Sequence, residues 1–313
     1  MKILFMGTPD FALYSLRAML GAGENVVAVV TQPDQPRGRG YVLTPPPVKV
    51  CAEEHGIPVY QPETLRNGAF SAKLREIDPD LIVVTAYGKI LPSDVLDYPE
   101  YGCINVHASL LPAYRGAAPM QRAIMDGRTV TGITVMRMDA GLDTGDILLQ
   151  KEVPIGPDDN FETIHDRMGE AGAGALTDAI ARLREGRLIP VPQDGSRATY
   201  AAKIGKEDCL IDFAHSAKEL HDRVRGLSPF PLAFTRLPDG KLLKIVASGW
   251  TPETPDAPAG TVVSTAGGAI SVACGEGTLR LVTVLPEGKK SMPAGAFVNG
   301  RGVAVGDRLG ENP

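Results

Sequence analysis

Ile3-Leu4-Phe5-Met6-Gly7-Thr8-Pro9-Asp10-Phe11-Ala12-Leu13-Tyr14-Ser15-Leu16-Arg17-Ala18-Met19-Leu20 decides how the fold is read. Ile3 to Met6 is a continuous apolar run that stops at a turn, after which Phe11, Leu13, Leu16, Ala18, Met19 and Leu20 fall at helical spacing. The pattern recurs. Val26 to Val30, Leu81 to Thr85 and Cys103 to Val106 are further apolar runs bounded by turn residues, with helical patterns between them. Unbroken runs of this kind suit strands buried on both faces. Helices between them imply right-handed crossovers and a parallel, Rossmann-like α/β sheet. Pro9 suits the first turn of the helix, with Thr8 as its cap. No GxGxxG or GxxxxGK[ST] follows the first strand, so this turn is not a dinucleotide fingerprint or a P-loop; it is structural or walls an acceptor site.

Further along, Gly132 to Met138 and Ile147 to Ile155 read as strands flanking a Gly-rich turn, and Phe161 to Leu183 as a helix with Ile164, Met168, Ala171, Ala175, Ile180 and Leu183 on or near one side. After Arg187 the character changes. Pro190-Val191-Pro192-Gln193-Asp194-Gly195 reads as a linker. Beyond it lie a helical stretch near Ser216 to Arg225 and short strand-like runs at Leu242 to Ala247, Thr261 to Ser264, Ala269 to Ala273 and Leu279 to Val284, which suggest a small β-barrel or sandwich. The expected division is residues 1–188, a linker over 189–204, and a second domain over 205–313. Thr31 to Val48, rich in Pro, Gly and Arg, is longer than a usual βα connection, and such loops are more often functional than not.

A chain of 313 residues has room for two domains, and its 43% hydrophobic and 22% charged content allows packed cores. The net charge of -5 argues against a protein that simply coats phosphates, so any nucleic-acid contact must be local. Residues 204–313 carry 12 Lys and Arg against 12 Asp and Glu, a net of zero. Cys51, Cys103, Cys209 and Cys274 form no CxxC pair, which fits free thiols in a reducing compartment. The apolar start is too short for a signal peptide, no run approaches membrane-spanning length, and no heptad pattern is visible. The expectation is a cytosolic monomer with no membrane association.

Three segments carry chemistry. The first is Ile104-Asn105-Val106-His107-Ala108-Ser109-Leu110-Leu111-Pro112-Ala113-Tyr114-Arg115-Gly116-Ala117-Ala118-Pro119. Alternation along a strand puts Asn105 and His107 on one face, at the carboxyl end of a parallel strand, where ligands of open α/β sheets sit. On spacing alone the pair is either a polar strand end that pins a loop or part of a site. The second is Met138-Asp139-Ala140-Gly141-Leu142-Asp143-Thr144-Gly145-Asp146, in which two glycines frame Asp143 in a tight turn able to aim a carboxylate; Asp139 and Asp146 read as turn residues. A carboxylate facing an imidazole would fix its tautomer. The third is Gln32-Pro33-Asp34-Gln35-Pro36-Arg37-Gly38-Arg39-Gly40-Tyr41, where Arg37 and Arg39 are either solvated loop residues or guanidinium forks for phosphate. Five scattered histidines with no HxxxH pair imply no metal.

Asn105, His107 and Asp143, with Ser109-Leu110-Leu111-Pro112 between them, resemble the signature of the 10-formyltetrahydrofolate-dependent formyltransferases. The resemblance implies that Asn105, His107 and Asp143 form the formyl-transfer site, that Ser109, Leu110, Leu111 and Pro112 line the folate pocket, and that 10-formyltetrahydrofolate is the donor. It extends through Phe5 to Phe11, the Thr31-Gln32-Pro33-Asp34 lead into the Arg/Gly loop, Tyr114 to Pro119, Gly141 to Asp146, Ile211-Asp212-Phe213, Gly288-Lys289-Lys290 and Arg308-Leu309-Gly310, so it covers nearly the whole chain. This extent is most similar to the branch of the family whose acceptor is the methionyl group on initiator tRNA. It implies a C-terminal, OB-like barrel that binds tRNA, with Arg37 and Arg39 of the insertion at the acceptor stem. The second domain is neutral where the family expects a basic face; Lys203, Lys206, Lys241, Lys244, Lys289, Lys290 and Arg301 would supply one by clustering. The alternatives are the same transfer onto glycinamide ribonucleotide or an amino-sugar nucleotide, a folate-dependent hydrolase, or a silent folate- or RNA-binding protein.

The implied chemistry is economical. An amine attacks the formyl carbon, negative charge develops on the formyl oxygen, and donors aimed there in advance stabilise it. Asn105 offers an amide N–H and His107 a ring N–H, while Asp143 orients His107 and helps remove the amine's proton. No covalent intermediate is required, and Ser109 reads as a pocket wall.

Overall fold

The computed structural model describes residues 1–37 and 42–310. The chain divides into two compact units. The first comprises Met1–Gly116, Val130–Pro154 and His165–Ala201, and the second Ala117–Thr129, Ile155–Ile164 and Ala202–Pro313.

The first unit is built on a seven-stranded sheet in the order Ile147–Pro154, Val130–Arg137, Cys103–His107, Leu81–Thr85, Lys2–Gly7, Asn25–Val30, Val59–Tyr60. The last five run parallel, as their apolar runs require: Ile3, Leu4, Phe5 and Met6 of the Lys2–Gly7 strand are all fully buried. The other two are antiparallel, because the turn after Arg137 folds the chain back as a hairpin beside Cys103–His107. Registers Met6↔Val30, Gly7↔Thr85 and Val84↔Asn105 bring the carboxyl ends of the parallel strands to one edge. Helices Asp10–Gly21 and Phe161–Arg184 match the two predicted from spacing to within a few residues.

Thr8 does not cap the first helix. Pro9 is the N-cap and no side chain caps it. The Thr8 hydroxyl instead donates to the Tyr87 carbonyl at 3.1 Å and accepts from Gln32 N–H at 3.2 Å, bracing the three loops at the carboxyl edge. Within the insertion, Gln35–Arg37 and Val42–Thr44 form a short antiparallel ladder, and helix Pro47–Glu54 begins at its end. Arg39 lies outside the described residues.

The second unit carries a six-stranded antiparallel half-barrel. Its strands run in the order Ala233–Arg236, Leu242–Thr251, Thr278–Pro286, Ile270–Ala273, Val262–Ser264, with Met292–Pro293 also on Thr278–Pro286. Its core gathers Leu220, Val224 and Leu227 of helix Ala217–Leu227 with Leu243, Ile245, Leu279 and Leu281 of the sheet. A capping box fixes the helix start: Ser216 Oγ accepts from Glu219 N–H at 3.2 Å and Glu219 Oε2 accepts from Ser216 N–H at 3.1 Å. Arg225, buried and paired with Asp222, donates to the Gly156 and Asp159 carbonyls and so ties the Ile155–Ile164 excursion into this unit. Among the described residues no helix is long and apolar enough to cross a membrane.

Candidate active site

The strand Cys103–His107 lies between an antiparallel and a parallel neighbour and ends at the carboxyl edge. Its last residue, His107, is buried. The ring Nε2 lies 3.0 Å from the Tyr114 carbonyl oxygen, which can only accept, so Nε2 carries a hydrogen. The other nitrogen, Nδ1, stands 3.6 Å from Asp143 Oδ2. Asn105, two residues earlier on the same face, is half-buried, and its side chain makes no hydrogen bond among the described residues.

Asp143 arrives from the hairpin turn. Its φ of +53° places it in the left-handed region that few non-glycine residues adopt, and the turn enforces this. Gly141 N–H and the Thr144 hydroxyl both donate to Asp139 Oδ1, at 3.0 and 2.7 Å. Gly145 packs so tightly under Arg137 that a Cβ would overlap the Arg137 carbonyl. Asp139 is therefore the brace of the turn and Asp143 its outward-aimed carboxylate. Gly116 N–H donates to Asp143 Oδ2 at 2.8 Å.

The Ser109–Pro112 segment is held from behind. Thr134 Oγ1 donates to the Ser109 carbonyl at 2.7 Å and accepts from Leu111 N–H at 3.0 Å, and Gln150 Nε2 donates to both the Leu111 carbonyl and Thr134 Oγ1 at 2.9 Å. Ser109 is fully buried, and its hydroxyl donates to the Ala113 carbonyl at 2.6 Å, which commits it away from nucleophilic work. Leu110 lies against Gly132, where a Cβ would come within 2.6 Å of its Cδ2. The carbonyls of this loop and the Leu111 N–H are thus engaged, and the half-buried Leu110 and Pro112 are left as apolar surface. The Cys103 thiol, at the start of the same strand, is pushed up to about 12 by burial and is no nucleophile.

The residues that position this site were not singled out from the sequence. Tyr114 and Gly116 act through main-chain groups, which no side-chain identity announces; the one available signal was a glycine directly after Tyr114-Arg115. Gln193 lies in the proline-rich stretch read as linker, yet it belongs to the first unit and donates to the Asp143 and Gly145 carbonyls at 2.9 and 2.7 Å. The backbone of Arg37 is placed in the short ladder of the insertion, paired with Val42. Among the described residues no group of three or more His, Cys, Asp or Glu could hold a metal ion.

Comparison with known proteins shows the family. Residues 1–180 match the formyl transferase family, and residues 203–302 match the formyl transferase C-terminal domain. The chain is 50% identical to the methionyl-tRNA formyltransferase of Citrifermentans bemidjiense over 99% of this chain and 97% of that one. It is 47% identical to the methionyl-tRNA formyltransferase of Bacillus velezensis over 99% and 98%. Among solved structures, an N-formyltransferase from Helicobacter canadensis in complex with folinic acid and dTDP-3-aminofucose superposes with a TM-score of 0.68 at 18% identity, covering 90% of this chain and 98% of that one. HypX from Aquifex aeolicus in complex with tetrahydrofolic acid does so with a TM-score of 0.63 at 17% identity, covering 96% of this chain and 47% of that one. At such identities these two establish a shared fold.

Proposed function

The chain belongs to the methionyl-tRNA formyltransferase family, and from that premise we infer that Asn105, His107 and Asp143 carry its formyl transfer. The enzyme moves a formyl group from a formyl-tetrahydrofolate donor to the α-amino group of methionine esterified to initiator tRNA. The observation that supports the residue assignment is the pairing of His107 Nδ1 with Asp143 Oδ2 at 3.6 Å, at the carboxyl edge of the sheet and two residues beyond Asn105. An apolar wall held in place by Thr134 and Gln150, as Leu110 and Pro112 provide, fits the ring system of a folate.

The hydrogen-bond pattern gives each residue a task. Because Nε2–H is spent on Tyr114, a neutral His107 turns an Nδ1 lone pair toward a carboxylate that is also an acceptor. Two acceptors facing each other call for a hydrogen between them, and the N–H of an attacking amine supplies it. The proton it loses is shared by Nδ1 and Oδ2; once on Nδ1, the imidazolium has both N–H groups received, by Tyr114 and by Asp143. Asn105, with its amide uncommitted, donates to the formyl oxygen as negative charge grows there. A single such donor is typically worth about 3–4 kcal/mol in the transition state. Collapse of the tetrahedral intermediate breaks the bond between the formyl carbon and the folate nitrogen, which takes the proton held at His107 and Asp143, so that tetrahydrofolate leaves and no covalent enzyme intermediate is needed.

In this reading Arg37 and Arg39 of the insertion meet the acceptor stem. The second unit, with Lys203, Lys206, Lys241, Lys244, Lys289, Lys290 and Arg301, holds the tRNA in a monomeric enzyme of the cytoplasm. Purified protein supplied with 10-formyltetrahydrofolate and either methionyl initiator tRNA, amino-sugar nucleotide or free amine should formylate only the tRNA. Formyl appearing on the sugar nucleotide instead would overturn the acceptor assignment.

A further inference from the structure

We propose that Gln193 is a positioning residue for the formyl transfer: its side-chain amide clamps the Asp143 turn to the Tyr114–Gly116 segment and thereby sets the distance between the Asp143 carboxylate and His107. This rests on the reading of Asp143 as part of the active site. Gln193 Nε2 donates to the Asp143 carbonyl at 2.9 Å and to the Gly145 carbonyl at 2.7 Å. Its Oε1 accepts from the Arg115 Nε at 3.2 Å and Nη2 at 2.7 Å. The guanidinium can only donate and the carbonyls can only accept, so the orientation of this amide is fixed by its partners, and its two hydrogens and two lone pairs are all used.

What the clamp joins gives it its importance. On one side, Arg115 is buried between Tyr114, whose carbonyl holds His107 Nε2, and Gly116, whose N–H holds Asp143 Oδ2. On the other side is the turn that keeps Asp143 at a φ of +53°. One side chain therefore connects the partner of the imidazole to the backbone of the carboxylate. Neighbouring backbone bonds hold the Gln193 segment to the same place: Val191 and Ile147 exchange N–H···O bonds at 2.8 Å, Arg115 N–H donates to the Thr199 carbonyl at 2.9 Å, and Tyr114 N–H donates to Thr199 Oγ1 at 2.8 Å. With the backbone so tethered, replacing the amide alone alters the clamp without freeing the strand.

Two variants separate positioning from general stability. Gln193→Glu keeps an oxygen for Arg115 but faces the Asp143 and Gly145 carbonyls with an acceptor; Gln193→Leu removes all four bonds at similar volume. Steady-state kinetics should show kcat falling by about ten- to a hundredfold in both, the scale set by small misplacements of catalytic groups, with KM for donor and for methionyl-tRNA unchanged. In an Asp143→Asn background, Gln193→Glu should add no further loss, because the two changes act through one group. Wild-type kcat in both single variants, or losses from Gln193→Glu and Asp143→Asn that multiply, would overturn the proposal. Wild-type turnover in Asp143→Asn alone would instead overturn the reading of the active site beneath it.

Discussion

The main-chain N–H of Gly116 stands 2.8 Å from Asp143 Oδ2, so the carboxylate that faces His107 is aimed by a group that no side-chain substitution removes. The Asp143 carboxylate and the strand-end histidine come from segments far apart in sequence, and a glycine in a third position keeps them in register.

Gly116 itself is the first test. Its φ is +118°, a conformation costly for an L side chain, and a Cβ there would lie 2.9 Å from the Ala201 carbonyl. Gly116→Ala should lose about 1–3 kcal/mol of stability in urea unfolding, and its kcat should fall because the donor to Asp143 moves. Unchanged kcat in a destabilised protein would separate the strain from the aiming role.

His107→Ala and Asp143→Ala should each lower kcat by about 10²–10⁴-fold while donor affinity, read by fluorescence titration with a non-reactive folate, stays close to wild type. In the proposed assignment both side chains act on charge and protons that appear only during reaction, whereas Leu110 and Pro112 form the wall against which the donor rests. A variant that loses donor binding in proportion to turnover would place the residue in the binding pocket instead.

His165 offers a pH-dependent test in the first unit. Asp10, facing its Nε2 at 3.6 Å, and Asp166, at 2.9 Å from its Nδ1, hold the imidazole above its ordinary value of 6.5 against the opposing effect of burial. A group whose folded value is raised contributes stability that is fully present below the unfolded value and is lost as pH rises through the folded one. The contribution of His165 should therefore be complete below about 6.5 and decline above it. Denaturation midpoints across pH 5.5 to 9 should show His165→Asn losing stability at the acidic end and converging on wild type at the alkaline end; parallel curves would refute the linkage.

Arg39→Ala should raise KM for methionyl-tRNA without changing KM for the folate donor. If Arg39 meets a phosphate, the slope of log affinity for tRNA against log salt should fall by about one, which binding measured across a salt series reads directly. An unchanged slope would return Arg39 to the solvated loop residues.

The parallel strands were legible because burial on both faces leaves an unambiguous trace: runs such as Ile3 to Met6 and Leu81 to Thr85 admit little polarity. The Asp143 turn was legible because its two glycines advertise a constrained backbone. Thr8 misled because its hydroxyl is engaged by Tyr87 and Gln32, loops distant in sequence, and local capping rules see only neighbours. For the same reason Gln193 was hidden. Proline-rich composition describes how a segment leaves regular structure, while the partners of Gln193 lie some fifty to eighty residues upstream. The roles of the Tyr114 carbonyl and Gly116 N–H leave no sequence trace beyond the glycine itself, since every residue but proline carries both groups.

The Val191–Ala201 stretch, paired strand to strand with Arg115–Gly116 through Tyr200 and Ala201, has a practical meaning for recombining relatives of this enzyme. A chimera spliced at Arg187, where the composition changes, would graft one parent's acid turn onto another parent's clasp. A seam at Ala202 keeps the clasp with its own acid turn, provided that Ala117–Thr129 and Ile155–Ile164, which belong to the second unit and bond to it through Arg122 and Arg225, come from the same parent as residues 202 onward.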